Sequence, residues 1–353
     1  VCGAEEVSEV SSGNPQPEIG PIEYEYGKEH SLPLEFNLRK LAETRKPILL
    51  PGHRLCAGCG AAIVVKLIGY ALRGPTVIAN ATGCVEVATT IFPYTSWAIP
   101  WIHVAFENAA AVASGIEAAY KALQETGRLP YKNIDVIALA GDGGTYDIGI
   151  QALSGMAERG HKVLYVLYDN EAYMNTGIQR SGGTPMFAWT TTSPVGSAIP
   201  GKTQPKKPIA DIMVAHRIPY VATATAAHWA DLFRKVRKGL EVNGPAFLHV
   251  LSSCNRGWRH GLETAVEISR RAVDTCYFPL WEYKLGEGYY LTDRSLQIAR
   301  NPKLKQPIEK YLELQERFRH ILRPEGKELL KQLQEYVDAV WQDLLSRAVN
   351  APK

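Results

Sequence analysis

The 353-residue sequence has no run of 18 apolar residues, so no segment reads as a membrane-spanning helix. It lacks a dominant charge. Lys and Arg number 39 against 36 Asp and Glu, a formal +3, which gives no field to attract nucleic acid or an anionic lipid surface. The opening "VCGAEEVSEVSSGNPQPE" is acidic and polar rather than basic and then apolar, so the expectation is that nothing exports or anchors the chain. The expectation is a cytoplasmic protein with no nucleic-acid and no membrane partner. Six Cys over this length are too few for a disulfide scaffold. In a reducing compartment such thiols serve metal or redox chemistry, or sit as small buried apolar groups. There is no internal repeat.

What is present is 46% hydrophobic content, enough to build a sizeable core. Residues 1–46 are rich in Gly, Pro, Glu and Ser and show little hydrophobic periodicity, which predicts an extended N-terminal arm. A strand and helix rhythm follows. "AAIVVKLIGYALRG" reads as a helix, "PTVIANATGC" as a strand entering a loop, and "ENAAAVASGIEAAYKALQETG" as a small-residue helix. "IDVIALAGDGG" and "KVLYVLYDN" read as strands separated by the helix "YDIGIQALSGMAERG", with a polar loop after them up to about residue 208. "IADIMVAHR", "YVATA", "AHWADLFRKVRKGLEVNG" and "AFLHVLSSC" continue the alternation. The implied class is α/β, a mostly parallel sheet with helices on both faces over 47–283. "EKYLELQERFRHIL" and "EGKELLKQLQEYVDAVWQDLLSRAV" predict amphipathic helices in a C-terminal extension, 284–353.

In such sheets ligands bind at the carboxyl ends of strands. "GDGG" brings Gly141, Asp142, Gly143 and Gly144 to one such end, where backbone amides can approach phosphate and a carboxylate can face a cation. The same letters also describe a turn with an Asp cap. Asn170 follows 28 positions later at the end of the next apolar strand, so two hard oxygen donors meet on adjacent strand ends. A Gly-Asp-Gly with an Asn at this remove resembles the diphosphate and Mg²⁺ signature of thiamine-diphosphate enzymes. That resemblance implies the Ala172 carbonyl as a third ligand.

Cys56 and Cys59, two residues apart in "GHRLCAGCG", are joined by single cysteines in "ATGC" (Cys84) and "SSCNRGW" (Cys254). Spacing leaves three readings open: an iron–sulfur cluster, a structural Zn²⁺, or unrelated thiols. The zinc reading would make the chain a metal-stabilised binding subunit rather than an enzyme. Cys2 and Cys276 read as ordinary thiols.

Taken together, "GHRLCAGCGA", "ATGCVEVATTIFPYTSWAIPWIHVAFENAAAVASGIEAA", "AGDGGTYDIGIQALSGMAERGH", "YDNEAYMNTGIQRSGGTP", "GPAFLHVLSSCNRGW" and "AVDTCYFPLWEY" resemble, in order and spacing, the β subunit of the pyruvate:ferredoxin oxidoreductase family of 2-oxoacid oxidoreductases. The resemblance covers about residues 50–320 and implies a thiamine-diphosphate-binding fold. It implies Cys56, Cys59, Cys84 and Cys254 as ligands of a four-iron four-sulfur cluster and Asp142, Asn170 and Ala172 as the Mg²⁺ site. Gly141, Gly143 and Gly144 would form the diphosphate loop, while Asn175 and Thr176 would face the reacting centre. Decarboxylation of a 2-oxoacid leaves two electrons, which a cluster takes one at a time, and the acyl group passes to coenzyme A.

The partners implied are an α subunit carrying the Glu that activates the cofactor, γ and ferredoxin-like δ subunits, and ferredoxin as acceptor. Glu107 reads as a helix-start capping residue, and His53 as a donor beside the thiol loop or a core His. Two departures stand out: "SSCNRGW", with Arg256, where pyruvate members resemble "APCPTGW", and "RSGGTPMFAW" where they resemble "RSSATPYGAW". They leave a branched-chain acid, an aromatic acid or oxalate as alternative substrates to pyruvate. 2-Oxoglutarate members resemble shorter chains.

Overall fold

The computed structural model describes residues 37–129 and 134–352. Eight strands form one sheet: β1 (Thr76–Ala81), β2 (Trp101–Val104), β3 (Asp135–Gly141), β4 (Leu164–Asp169), β5 (Tyr220–Thr225), β6 (Ala246–Leu251), β7 (Trp281–Lys284) and β8 (Gly288–Leu291). Their order is β2-β1-β3-β4-β6-β5-β7-β8. In sheet order the pairings from β2 through β5 are parallel, and the β5–β7 and β7–β8 pairings are antiparallel. β3, β4 and β6 are buried almost throughout, as expected for strands covered on both faces.

Helices Gly60–Ala71 and Trp229–Glu241 cover one face. Ala109–Glu125, Ile150–Glu158, Ile209–Ala215 and Lys327–Arg347 cover the other. In Gly60–Ala71 the buried residues Val64, Val65, Leu67, Ile68 and Ala71 recur at helical spacing, so the apolar stripe alone dictates the face that packs. A third apolar cluster joins Trp258 to Tyr311, Phe318, Ile321 and Leu333, fastening the C-terminal region beside the sheet.

The topology places the site. β1 continues to β2 on one side while β3 continues to β4 on the other, so strand order reverses between β1 and β3 and opens a crevice at their carboxyl ends. β1, β3, β4 and β6 are consecutive neighbours there. The loops that leave them begin at Thr82, Asp142, Asn170 and Ser252.

Several expectations need correction. Residues 38–44 of the expected arm form a helix, Leu38–Thr44, capped by the Asn37 side chain, with Leu38 and Leu41 against the core. The rest of the arm, 1–36, lies outside the described residues. The boundary expected after 283 falls inside β7, whose hairpin with β8 extends the same sheet. "EKYLELQERFRHIL" does not form a continuous helix: Glu309–Leu312 is one turn and Glu316–Phe318 a second, separate one. Tyr311, Leu312, Gln315, Arg317, Phe318 and Ile321 are all buried. No single helix face can bury that set, so tertiary contacts overrule the periodicity. The short edge strand β2 and the helix Cys84–Thr89 are additions the pattern did not announce.

Candidate active site and thiol cluster

A cavity of about 450 Å³, open to solvent, lies over the β1/β3 crevice and is lined by Gly83, Cys84, Asp142, Asn170, Ala172 and Asn175 among others. "GDGG" is a helix start rather than a free loop. Asp142 already has helical angles, φ −63° and ψ −47°, and Gly143–Asp147 forms a wide helical turn leading toward Ile150–Glu158. Its first amides therefore face the cavity, the arrangement that receives phosphate oxygens. Gly143 has to be glycine because a Cβ there would lie 2.3 Å from the Tyr173 ring.

Asp142 is 2% exposed. Its Oδ2 accepts a short hydrogen bond from Ser181 Oγ. The Asn170 side-chain amide lies 2.9 Å from Asp142 Oδ1 and 2.9 Å from the Ala172 carbonyl oxygen. With its nitrogen inward, the amide donates to both. With its oxygen inward, that oxygen stands 2.9 Å from each of the other two hard oxygens, about the cis edge of an octahedral shell with metal–oxygen bonds near 2.0–2.1 Å. This donor set and spacing fit Mg²⁺. Glu171, between the two ligand positions, adopts φ +67°, and this left-handed kink lets the Asn170 side chain and the Ala172 carbonyl face one point. Burial, reinforced by the Asp169 charge, pushes Asp142 well above the usual carboxylate range. A cation there would reverse that.

The four thiols of interest are gathered from three places. Cys56 and Cys59 precede helix Gly60–Ala71, and the Gly60 N–H donates to Ser253 O at 3.1 Å, docking this loop on the end of β6 beside Cys254. Gly58, at φ +72°, sits so close that a Cβ would lie 2.4 Å from Leu262 O. The Gly257 N–H donates to Cys254 Sγ at 3.3 Å. Burial pushes the Cys84 thiol up to about 12, followed by the charges of Cys254, Cys59 and Cys56. Cys59 and Cys254 are raised chiefly by burial and also sense their neighbours. Thiols that repel one another as thiolates are a donor set for a cationic body, and backbone N–H bonds to sulfur are usual around such bodies. Among the described residues no three His, Cys, Asp or Glu side chains are close enough to hold a single metal ion.

Sequence reasoning missed the buried charge network behind Asn170. Asp169 accepts from Lys206 Nζ (2.6 Å), Tyr146 OH (2.8 Å) and His249 Nε2 (2.7 Å). Glu171 pairs with Lys206 (2.8 Å), Arg317 (2.5 Å) and Tyr277 OH (2.7 Å). Burial alone would raise Asp169, but Lys206 and His249 more than offset it and hold the carboxyl below its usual range. The Arg317 guanidinium stacks 3.9 Å from the Trp258 ring centre, and Trp258 Nε1 donates to Asn170 O at 2.7 Å. The one sequence signal was "DNE", two acids around Asn170 in an otherwise apolar stretch.

The remaining expected residues fall as follows. Asn175 and Thr176 are exposed at the cavity rim, with Thr176 Oγ1 bonded to Gln179 Oε1 at 2.6 Å. Gly141 ends β3 opposite Tyr168, and Gly144 is buried in the turn after Asp142. Glu107 does not cap: the helix begins at Ala109 after Asn108, and Glu107 is exposed before it. His53 has a buried Nδ1 with no partner among the described residues. Arg256 is exposed, Cys276 is core, and Cys2 lies outside the described residues.

The strand order, the helix start at Asp142 and the oxygen trio define a thiamine-diphosphate enzyme fold. Residues 81–250 match the family described as the C-terminal TPP binding domain of thiamine pyrophosphate enzymes. More narrowly, the chain is 53% identical over 295 residues to pyruvate synthase subunit PorB of Methanocaldococcus jannaschii, covering 83% of this chain and 95% of that one. It is 52% identical to the same subunit of Thermotoga maritima, covering 88% and 96%. Ketoisovalerate oxidoreductase subunit VorB of Pyrococcus abyssi is 43% identical, over 83% and 91%. This chain belongs to the family of 2-oxoacid:ferredoxin oxidoreductase β subunits that includes PorB.

Proposed function

We propose that this chain is the β subunit of a pyruvate synthase. In this reading it holds the diphosphate end of thiamine diphosphate through Mg²⁺ and carries a four-iron four-sulfur cluster on Cys56, Cys59, Cys84 and Cys254. The observation that carries it is the meeting of Asp142, Asn170 and the Ala172 carbonyl in the same cavity wall as Cys84. When bound, thiamine diphosphate supplies the carbanion that opens a 2-oxoacid, and the cluster supplies a one-electron sink, coenzyme A taking the acyl group.

The chain's own residues bind and orient. Asp142, Asn170 and Ala172 would hold the cation, and the amides after Asp142 would hold phosphate. Asn175 and Thr176, at the open rim, would face substrate once an α subunit closes the cavity. No activating carboxylate stands among the residues named on this wall, which supports the need for that partner. γ and δ subunits and ferredoxin complete the proposed electron path. Among the described residues no helix is long and apolar enough to cross a membrane, in keeping with a proposed cytoplasmic location. Pyruvate is preferred because the PorB relatives share higher identity than VorB.

The test is anaerobic purification of the assembled complex, then assay with a panel of 2-oxoacids, coenzyme A and a viologen dye. A brown preparation that bleaches with dithionite and turns over pyruvate fastest is the expected result. Colourless protein with stoichiometric zinc would overturn the cluster, and preference for ketoisovalerate would overturn the substrate. Asp142→Ala should lose thiamine diphosphate while keeping its iron.

A further inference from the structure

Tyr168 stands next to last on β4 and is 1% exposed. It pairs with Gly141 across the β3–β4 ladder. Its hydroxyl lies in a slot between two glycines at the crevice: a Cβ on Gly83 would lie 2.8 Å from the phenol oxygen, and one on Gly141 3.3 Å. Tyr168, both glycines and Cys84 all line the cavity. The neighbouring buried tyrosines have partners, Tyr146 bonding Asp169 at 2.8 Å and Tyr165 meeting Thr145 at 3.0 Å. Tyr168 differs. The Val85 N–H is placed to favour the phenolate, yet no described residue accepts the hydroxyl proton. A phenylalanine would fill the same volume without stranding a polar group, so the hydroxyl awaits something that enters the cavity.

Resting on the reading above, we propose that the Tyr168 hydroxyl donates a hydrogen bond to sulfur at the Cys84 corner of the cluster and thereby raises its reduction potential. The hydroxyl touches the position of Gly83, whose chain neighbour is Cys84. The slot's other wall, Gly141, adjoins Asp142, but Asp142 already has Ser181 on one oxygen and Asn170 beside the other. Reduction adds negative charge to the sulfurs. A donor therefore stabilises the reduced state more than the oxidised one.

The experiment compares the assembled wild-type complex with Tyr168→Phe, with no 2-oxoacid present, by redox titration followed by electron paramagnetic resonance. The expected result is unchanged iron, sulfide and thiamine diphosphate affinity, with one cluster shifted to lower potential and the others unmoved as internal controls. Full iron content with unshifted potentials overturns the proposal, as does a weaker affinity for cofactor or 2-oxoacid without such a shift, which would assign the proton to that ligand. Should the variant fail to load iron, electron–nuclear double resonance on the wild type decides. With tyrosine ring-deuterated in the wild type, so that the backbone amides carry no deuterium, a deuterium coupled to the reduced cluster supports the proposal, and its absence overturns it. Wild-type complex without iron refutes the cluster itself, a separate outcome.

Discussion

Asp142 presents its two oxygens to different neighbours: Oδ2 to Ser181, Oδ1 to Asn170. Ser181 thus aims the carboxylate, although it lies 39 positions away in a loop whose sequence suggests only a turn. Ser181→Ala should weaken Mg²⁺-dependent binding of thiamine diphosphate by roughly tenfold or more, since a hydrogen bond to a charged group contributes about 1.5–3 kcal/mol. Calorimetric titration at saturating Mg²⁺ measures this, and unchanged affinity would sink the aiming role. Asp142 and Asn170 were legible because both sit where an apolar strand ends. Ser181, Lys206 and Tyr168 were not, since each acquires its place from a contact that no local pattern encodes. Glu107 misled for a related reason: a carboxylate near a helix start looks like a cap, and the residue that takes the cap position is its neighbour Asn108.

At the scale of elements, the turn Asn255–Arg259 after Cys254 and the broken segment 309–321 act together. Trp258 belongs to the first, Arg317 to the second, and they meet by stacking while gripping Asn170 and Glu171. The left-handed Glu171 is held in place by this grip. Arg317→Met leaves a buried carboxylate short of a partner and should cost about 3–5 kcal/mol, seen as a lower midpoint of thermal unfolding. Arg317→Lys, which keeps charge but not the planar stack, should fall between. Equal midpoints for all three proteins would show the pair to be idle. The parallel strands β1 and β3 to β6, with the helices between them, were readable from alternation of apolar runs. The 309–321 segment was not, because its amphipathic spacing predicts a helix that an ion pair to a residue 146 positions earlier does not allow.

Across the whole molecule, one surface region looks unfinished. Phe92 is 95% exposed and Tyr94 77%, with Val87 and Ile102 also exposed nearby in sequence to Cys84 and β2. Large apolar side chains this bare are where a partner subunit would dock on the proposed reading. Phe92→Asp should leave the isolated chain's melting midpoint unchanged but reduce recovery of the assembled complex in size-exclusion chromatography. Undiminished assembly would place the partner elsewhere.

The pairing of Glu171 with Arg317 also has a consequence in time. Chains emerge from the ribosome at about 5–20 residues per second, so the 146 positions between the two correspond to roughly 7–30 s of synthesis by that rate. Through this interval Glu171, next to Asn170, can gain Lys206 and then Tyr277 but not the Arg317 guanidinium. The wall proposed to receive the cation is complete only after most of the chain has been translated. On the proposed reading of this wall, cofactor loading would follow translation of the C-terminal region rather than guide the folding of the sheet.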